Sequence, residues 1–100
     1  MNEILMMKVH REGPTSIMAL SDIGLLGSSL IEGDLTFKVT NSFYEGDIVT
    51  EELVLRTIHT VNSINAIGER SVGLLIEAGY ASKDLVRTFQ DIPHIQVYIV

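Results

Sequence analysis

The sequence predicts an α+β two-layer sandwich, with a mainly antiparallel sheet of four or five strands and two helices packed on one face. Three observations lead there. Apolar residues alternate with polar ones at both ends of the chain, as in strands with one covered face. Two stretches in the middle carry apolar residues at helical spacing instead. A length of 100 residues with 46% hydrophobic side chains makes one domain, residues 1–100, with material for one compact core.

From Ile4 to Arg11 the chain alternates, with Leu5, Met7 and Val9 on one face and Ile4, Met6, Lys8 and His10 on the other, which reads as a first strand. Glu12-Gly13-Pro14 breaks it, and Thr15 to Leu20 resumes a β-branched and apolar run, so the two form a hairpin. Ser21 to Ser29 has no clean period and reads as a loop or a short turn of helix. After the turn signal Glu32-Gly33-Asp34, Leu35, Phe37 and Val39 alternate with Thr36, Lys38 and Thr40 in the clearest strand pattern of the chain. Asn41 to Asp47 closes that strand with turn residues around Phe43 and Tyr44, which are expected to lie over the edge of the core.

Thr50 is placed to cap a helix whose first turn carries Glu51 and Glu52, where the helix dipole favours carboxylates. Val54, Ile58 and Val61 then point inward. The stretch Asn65 to Gly79, wound as a helix, gathers Ile67, Val72, Leu74, Leu75 and Ala78 into one apolar arc, with Glu69, Arg70, Gly73 and Glu77 opposite. Gly68 and Ser71 fall inside that arc, where bulk is normal, and close approach of the backbone to a sheet is the expected reason. Gly79 ends the helix. Leu85 to Phe89 reads as a strand, Asp91-Ile92-Pro93 as a turn, and His94 to Val100 as a last strand with Ile95, Val97 and Ile99 on one face.

Seven Lys and Arg against thirteen Asp and Glu give a net charge of −6, which opposes non-specific binding to nucleic acid or anionic membranes. With no Cys, disulfides, thiolate metal sites and Cys nucleophiles are excluded, in keeping with a reducing cytoplasm. The N-terminus has no basic region ahead of its short apolar run, and no run approaches the roughly 20 residues that span a bilayer. These features predict a soluble, cytoplasmic protein without a membrane partner.

Chemistry-bearing residues are sparse. Neither a Gly-x-Ser-x-Gly elbow nor a Ser-x-x-Lys pair occurs, and His10, His59 and His94 lack the spacing of metal ligands. His10 closes the first strand and His94 opens the last, so a pair completed by Asp22 or Glu69 depends on how those strands are arranged; one hydrogen-bonded strand-end His and one turn His is the simpler reading. Gly68, flanked by Asn65 and Arg70, could leave helix N–H groups open to a phosphate or carboxylate, while helix packing accounts for the glycine equally well. Glu45, Asp47, Glu51 and Glu52 read as a solvated helix start rather than a cation site. No catalytic residue, metal or cofactor is expected.

The segments Lys8-Val9-His10-Arg11, Leu25-Leu26-Gly27, Glu32-Gly33-Asp34-Leu35, Phe43-Tyr44-Glu45-Gly46, Asn65-Ala66-Ile67-Gly68-Glu69-Arg70 and Pro93-His94-Ile95-Gln96-Val97 together resemble the DUF424 family, over nearly the whole chain. That resemblance implies a small cytoplasmic α+β protein of archaea and an association with translation genes; it carries no activity, substrate or catalytic residue across. The resembling segments include His10, Arg11, Asn65, Gly68, Glu69, Arg70, His94 and Gln96, which are polar or small, and these are the candidate binding residues. Arg11, Asn65, Arg70 and His94 are expected to converge at the start of the central helix. The leading function is a non-enzymatic binding module with a protein or ribonucleoprotein partner, linked to translation or RNA; the alternative is a small enzyme or anionic-ligand-binding protein using the same His, Arg and Glu residues. A homo-oligomer is left open.

Overall fold

The computed structural model describes residues 3–99; the expectations for Met1, Asn2, the side chain of Ile4 and Val100 lie outside the described residues. Strands β1 (Glu3–Glu12) and β2 (Thr15–Asp22) form the expected hairpin, closed by a two-residue turn in which Gly13 has φ +58° ahead of Pro14. A 3₁₀ turn at Ile23–Leu25 follows, then a second hairpin, β3 (Ser29–Glu32) and β4 (Leu35–Lys38), reversing at Gly33-Asp34. Helix α1 (Asn41–Tyr44), strand β5 (Asp47–Thr50), helix α2 (Glu51–Thr57), strand β6 (Ser63–Ile67), helix α3 (Glu69–Glu77) and strands β7 (Arg87–Phe89) and β8 (Ile92–Tyr98) complete the order.

Among the described residues the main sheet has six strands, not four or five, in the order β5-β1-β2-β6-β8-β7. Only β2 and β6 run parallel; the other pairings in that sheet are antiparallel. Helices α2 and α3 pack on one face as expected. Leu5, Met18, Leu20, Ile64, Ala66 and Ile95 point from the sheet into the same core as Val54 and Ile58 from the α2 end and Val72, Leu74 and Leu75 from α3. An isolated helix of nine residues is marginal in water. Burial worth about 1.5–3 kcal/mol for each large apolar side chain is what holds α3 in place.

The two-layer expectation needs amendment, because the opposite face of the sheet is partly covered as well. A second cluster there joins Ala19, Ile67 and Phe89 of the sheet to Leu30 of β3, Val39 just after β4 and Tyr44 of α1. The most regular alternation in the chain, Leu35 to Val39, therefore belongs to a peripheral ribbon: its Leu35 is 51% exposed, and the strand ends at Lys38.

Several boundaries also move: the strand expected from Leu85 to Phe89 begins at Arg87, and Leu85 ends a 3₁₀ turn that starts at Lys83. Asn65 to Ile67 is not helix but the end of β6, with both faces covered, and α3 starts at Glu69. Asp91-Ile92-Pro93 is not the last turn, which is Gln90-Asp91 with φ +56° and +66°; Pro93 lies within β8 opposite Thr88. The ring is tolerated because the last β6–β8 pair is Ile67 with His94, so no further β6 residue calls on an N–H at Pro93.

The helix ends follow their expected chemistry. Thr50 Oγ1 accepts from the Leu53 N–H at 3.2 Å. At the C-terminal end of α3, Gly79 (φ +86°) donates to the Ile76 carbonyl and Tyr80 to the Leu75 carbonyl, the paired bonds of a Schellman cap.

Candidate functional site

The candidate residues fall into three places. Arg11 lies near the hairpin end of β1, exposed, donating to the Thr60 carbonyl at 3.2 Å and to Thr60 Oγ1 at 3.3 Å. It pairs with Ser16, whereas Gly68 follows Ile67, which pairs through β2 with Ser21. Five residues of strand, roughly 16 Å at 3.3 Å each, separate the two levels. The expected convergence of Arg11 with Asn65, Arg70 and His94 therefore does not occur.

The second place is the start of α3. Two of its first N–H groups are already taken, by Asp22 from the end of β2: Oδ2 accepts from the Arg70 N–H at 3.1 Å, and Oδ1 from the Ser71 N–H at 2.9 Å and the Ser71 hydroxyl at 2.8 Å. An anion does sit on this helix terminus, and it is the protein's own carboxylate. Gly68 accommodates it through φ +116° and through its lack of a side chain, since a Cβ there would lie 2.3 Å from Asp22 Cγ. The expected close approach is real, but its partner is a side chain at the strand end. Ser71, fully buried inside the apolar arc, is explained by the same carboxylate. Glu69 and Arg70 are exposed and border a shallow depression with Glu51 and Glu77. Asp22 thus serves α3 and takes no part in a histidine constellation.

The third place is the sheet face opposite α2 and α3. Registered pairing sets Lys8, Ala19, Asn65 and Gln96 in one row across four strands, and His10, Ile17, Ser63 and Tyr98 in the next. Asn65 Oδ1 accepts two hydrogen bonds, from the Tyr44 hydroxyl at 2.5 Å and from His94 Nε2 at 2.9 Å. His94 also packs its ring against Phe37 and Phe89, with centroids 4.8 Å and 6.2 Å away. His10 donates from Nε2 to the Phe43 carbonyl at 2.8 Å and stacks on the Phe43 ring. Strands β2 and β6 lie between His10 and His94, so the two histidines do not form a pair.

Electrostatics follows from this packing. Burial, and then the positive charge of Arg87, hold the His94 pKa below its ordinary value, so near neutrality the ring is uncharged with its proton on Nε2. Burial pushes the Tyr44 phenol up, and it remains a hydroxyl donor. Tyr44→Phe is expected to cost about 1–2 kcal/mol in urea unfolding, because the Asn65 oxygen loses its shorter bond and keeps only His94.

The His94 shift gives a pH dependence whose sign is fixed. Its folded pKa lies below the unfolded value near 6.5, so the unfolded chain binds the extra proton. The stabilisation is complete above that unfolded value and declines as pH falls from it toward the folded pKa. Unfolding curves at pH 7.5 and 5.0 should differ less for His94→Gln than for the parent protein.

Beyond this network the same face opens to solvent. Gln96 is exposed and donates from Nε2 to the Tyr98 hydroxyl at 3.2 Å; Tyr98 itself is 71% exposed. Arg87 sets its guanidinium over the Phe89 ring, 5.4 Å from the centroid, and the neighbouring Leu85 is 65% exposed. Arg87, Leu85 and Tyr98 were not among the sequence candidates. Tyr98 had a signal, since it is an aromatic side chain on the wet phase of the last strand's alternation. Asp22 was read only as a possible partner of a histidine pair and Tyr44 only as a lid over the core edge, because the groups they bond lie far along the chain.

Among the described residues no group of three or more His, Cys, Asp or Glu is placed to hold a metal ion, and no helix is long and apolar enough to cross a membrane. The fold is similar to the crystal structure of an uncharacterized conserved protein from Methanopyrus kandleri, with a TM-score of 0.82 and 28% identity, covering 96% of this chain and 91% of that one. Comparison with curated proteins finds no match. The sequence pattern of the family described as "Protein of unknown function (DUF424)" matches residues 10–100, and the chain belongs to that family.

Proposed function

We propose that this protein is a non-enzymatic binding module of the cytoplasm, working with translation or RNA machinery, and that it meets its partner on the open sheet face along β7 and β8. The observation that carries the proposal is Tyr98. A tyrosine 71% exposed on a regular strand, beside an amide at Gln96, a cation at Arg87 and an exposed Leu85, has the mixed apolar and polar character of an interface anchor. Behind it, Tyr44 and His94 both donate to Asn65, which suits a role as rigid support for β6 and β8. The rival reading as an anion-binding protein loses its simplest site, since Asp22 fills the α3 terminus.

Affinity purification of the tagged protein from its native source tests this. The parent chain should bring down reproducible ribosomal or ribonucleoprotein components. The Tyr98→Ala/Arg87→Glu double variant should recover them at least about tenfold less, as expected when interface anchors worth more than 1 kcal/mol each are lost. Both positions are exposed, so stability should stay within about 0.5 kcal/mol for each. A metabolite or metal retained in place of macromolecular partners would favour the small enzyme or ligand-binding protein.

A further inference from the structure

We propose that β8 accepts an extended peptide of a partner protein as an added strand, a deepening that rests on the reading of this chain as a binding module. In an antiparallel strand, the N–H and C=O of one residue point to the same edge, and successive residues alternate. The Ile99 N–H donates to the Asn62 carbonyl and the Pro93 carbonyl accepts from Gly68, so odd-numbered residues of this strand bond toward β6. Even-numbered residues face the other way. Ile92 and His94 meet Phe89 and Arg87 of β7, which begins at Arg87. Beyond it, no strand among the described residues pairs with the outer edge at Gln96 and Tyr98.

That open edge lies in a groove. On the helix side, a cavity of about 510 Å³ runs between Gln96–Tyr98 and the Gly79–Ser82 connection; on the opposite side, one of about 420 Å³ is lined by Phe37, Arg87 and His94. Leu85 and Gln96 border both. Side chains of an added strand alternate between two faces, and the two cavities stand where they would go. Arg87, exposed at the end of the edge, complements a carboxylate on the incoming segment.

A second copy of this chain is the weaker occupant. The stretch of β8 beyond the β7 pairing, Ile95 to Tyr98, which is paired with β6 on its inner edge alone, is four residues, roughly 13 Å of strand. Joining two such edges closes on the order of a few hundred Å², short of the roughly 1,200 Å² of a stable interface. A slender peptide reaches both cavity walls.

The test is selection of a random dodecapeptide display library against the full ¹⁵N-labelled chain, followed by amide exchange and titration with the enriched peptides. In the free protein, the Gln96 and Tyr98 amides should exchange faster than Val97, and bound peptide should slow both. Enriched peptides should alternate apolar residues with at least one Asp or Glu. Gln96→Pro removes one outward N–H while leaving the bonds to β6, and should weaken binding about tenfold. Leu85→Asp, at an exposed position, should weaken it without changing the melting temperature, and Arg87→Glu should abolish the preference for acidic peptides. Failure to enrich any peptide, equal binding by Gln96→Pro, slowed exchange elsewhere, or protection of the same amides by self-association would overturn the proposal. If native partners still co-purify with Gln96→Pro undiminished, the edge proposal fails while the binding-module reading stands.

Discussion

Gly68→Ala is expected to destabilise the domain by about 3–5 kcal/mol, a large share of the roughly 5–15 kcal/mol that holds a domain of this size together. Two costs add. A backbone at φ +116° suits glycine and strains any other residue by about 1–3 kcal/mol. The new Cβ would also lie 2.3 Å from Asp22 Cγ, so the carboxylate must leave the α3 terminus and release its bonds to Arg70 and Ser71. Thermal unfolding should show the melting temperature down by more than about 10 °C, given about 4–8 °C per kcal/mol for small domains. A change of a degree or two would mean that neither the strain nor the cap is real.

Asp22→Ala should cost about 2–4 kcal/mol. The substitution removes a helix cap, commonly worth about 1 kcal/mol. It also leaves the buried Ser71 hydroxyl without its acceptor, a further 1–3 kcal/mol or so. Urea unfolding of the two single variants and the double variant tests their connection. With Ala at position 22 the atoms that the Gly68→Ala methyl strikes are gone, so the double variant should fall short of the sum by about 1 kcal/mol or more. Full additivity would show that Gly68 and Asp22 act separately.

That pair also shows where sequence reasoning reached and where it stopped. Gly68 and Ser71 stood out as too small for an apolar arc, and both face a close contact. Their partner, Asp22, lies 48 residues before Arg70 and is brought there only by the parallel pairing of β2 with β6. Local chemistry was legible wherever the cause was local: Gly13-Pro14 turning the first hairpin, Gly33-Asp34 the second, Thr50 capping α2 and Gly79 ending α3. Strand β6 was not, because Ser63-Ile64-Asn65-Ala66-Ile67 is covered on both sides and its last residue also fits a helical arc with Val72 and Leu75. The clean alternation at Leu35 to Val39 records a ribbon with one covered face, and a period of two is the same whether a strand joins the main sheet or lies over it.

The candidate site divided in the same way. Asn65, His94 and Gln96 lie together on β6 and β8 because they are registered neighbours on one face. Arg11 shares their polar character but projects near Thr60, at the hairpin end of the sheet. Type of residue identified surface chemistry, and strand order decided which of those residues meet.

Hydrogen–deuterium exchange of the protein alone and with its purified native partner tests the central claim most directly. Protection on binding should concentrate in residues 85–98, covering Arg87, Gln96 and Tyr98, with little change along α2 and α3. Protection centred on Glu69, Arg70 and Glu77, or on Arg11 and Thr60, with β7 and β8 unaffected, would contradict it.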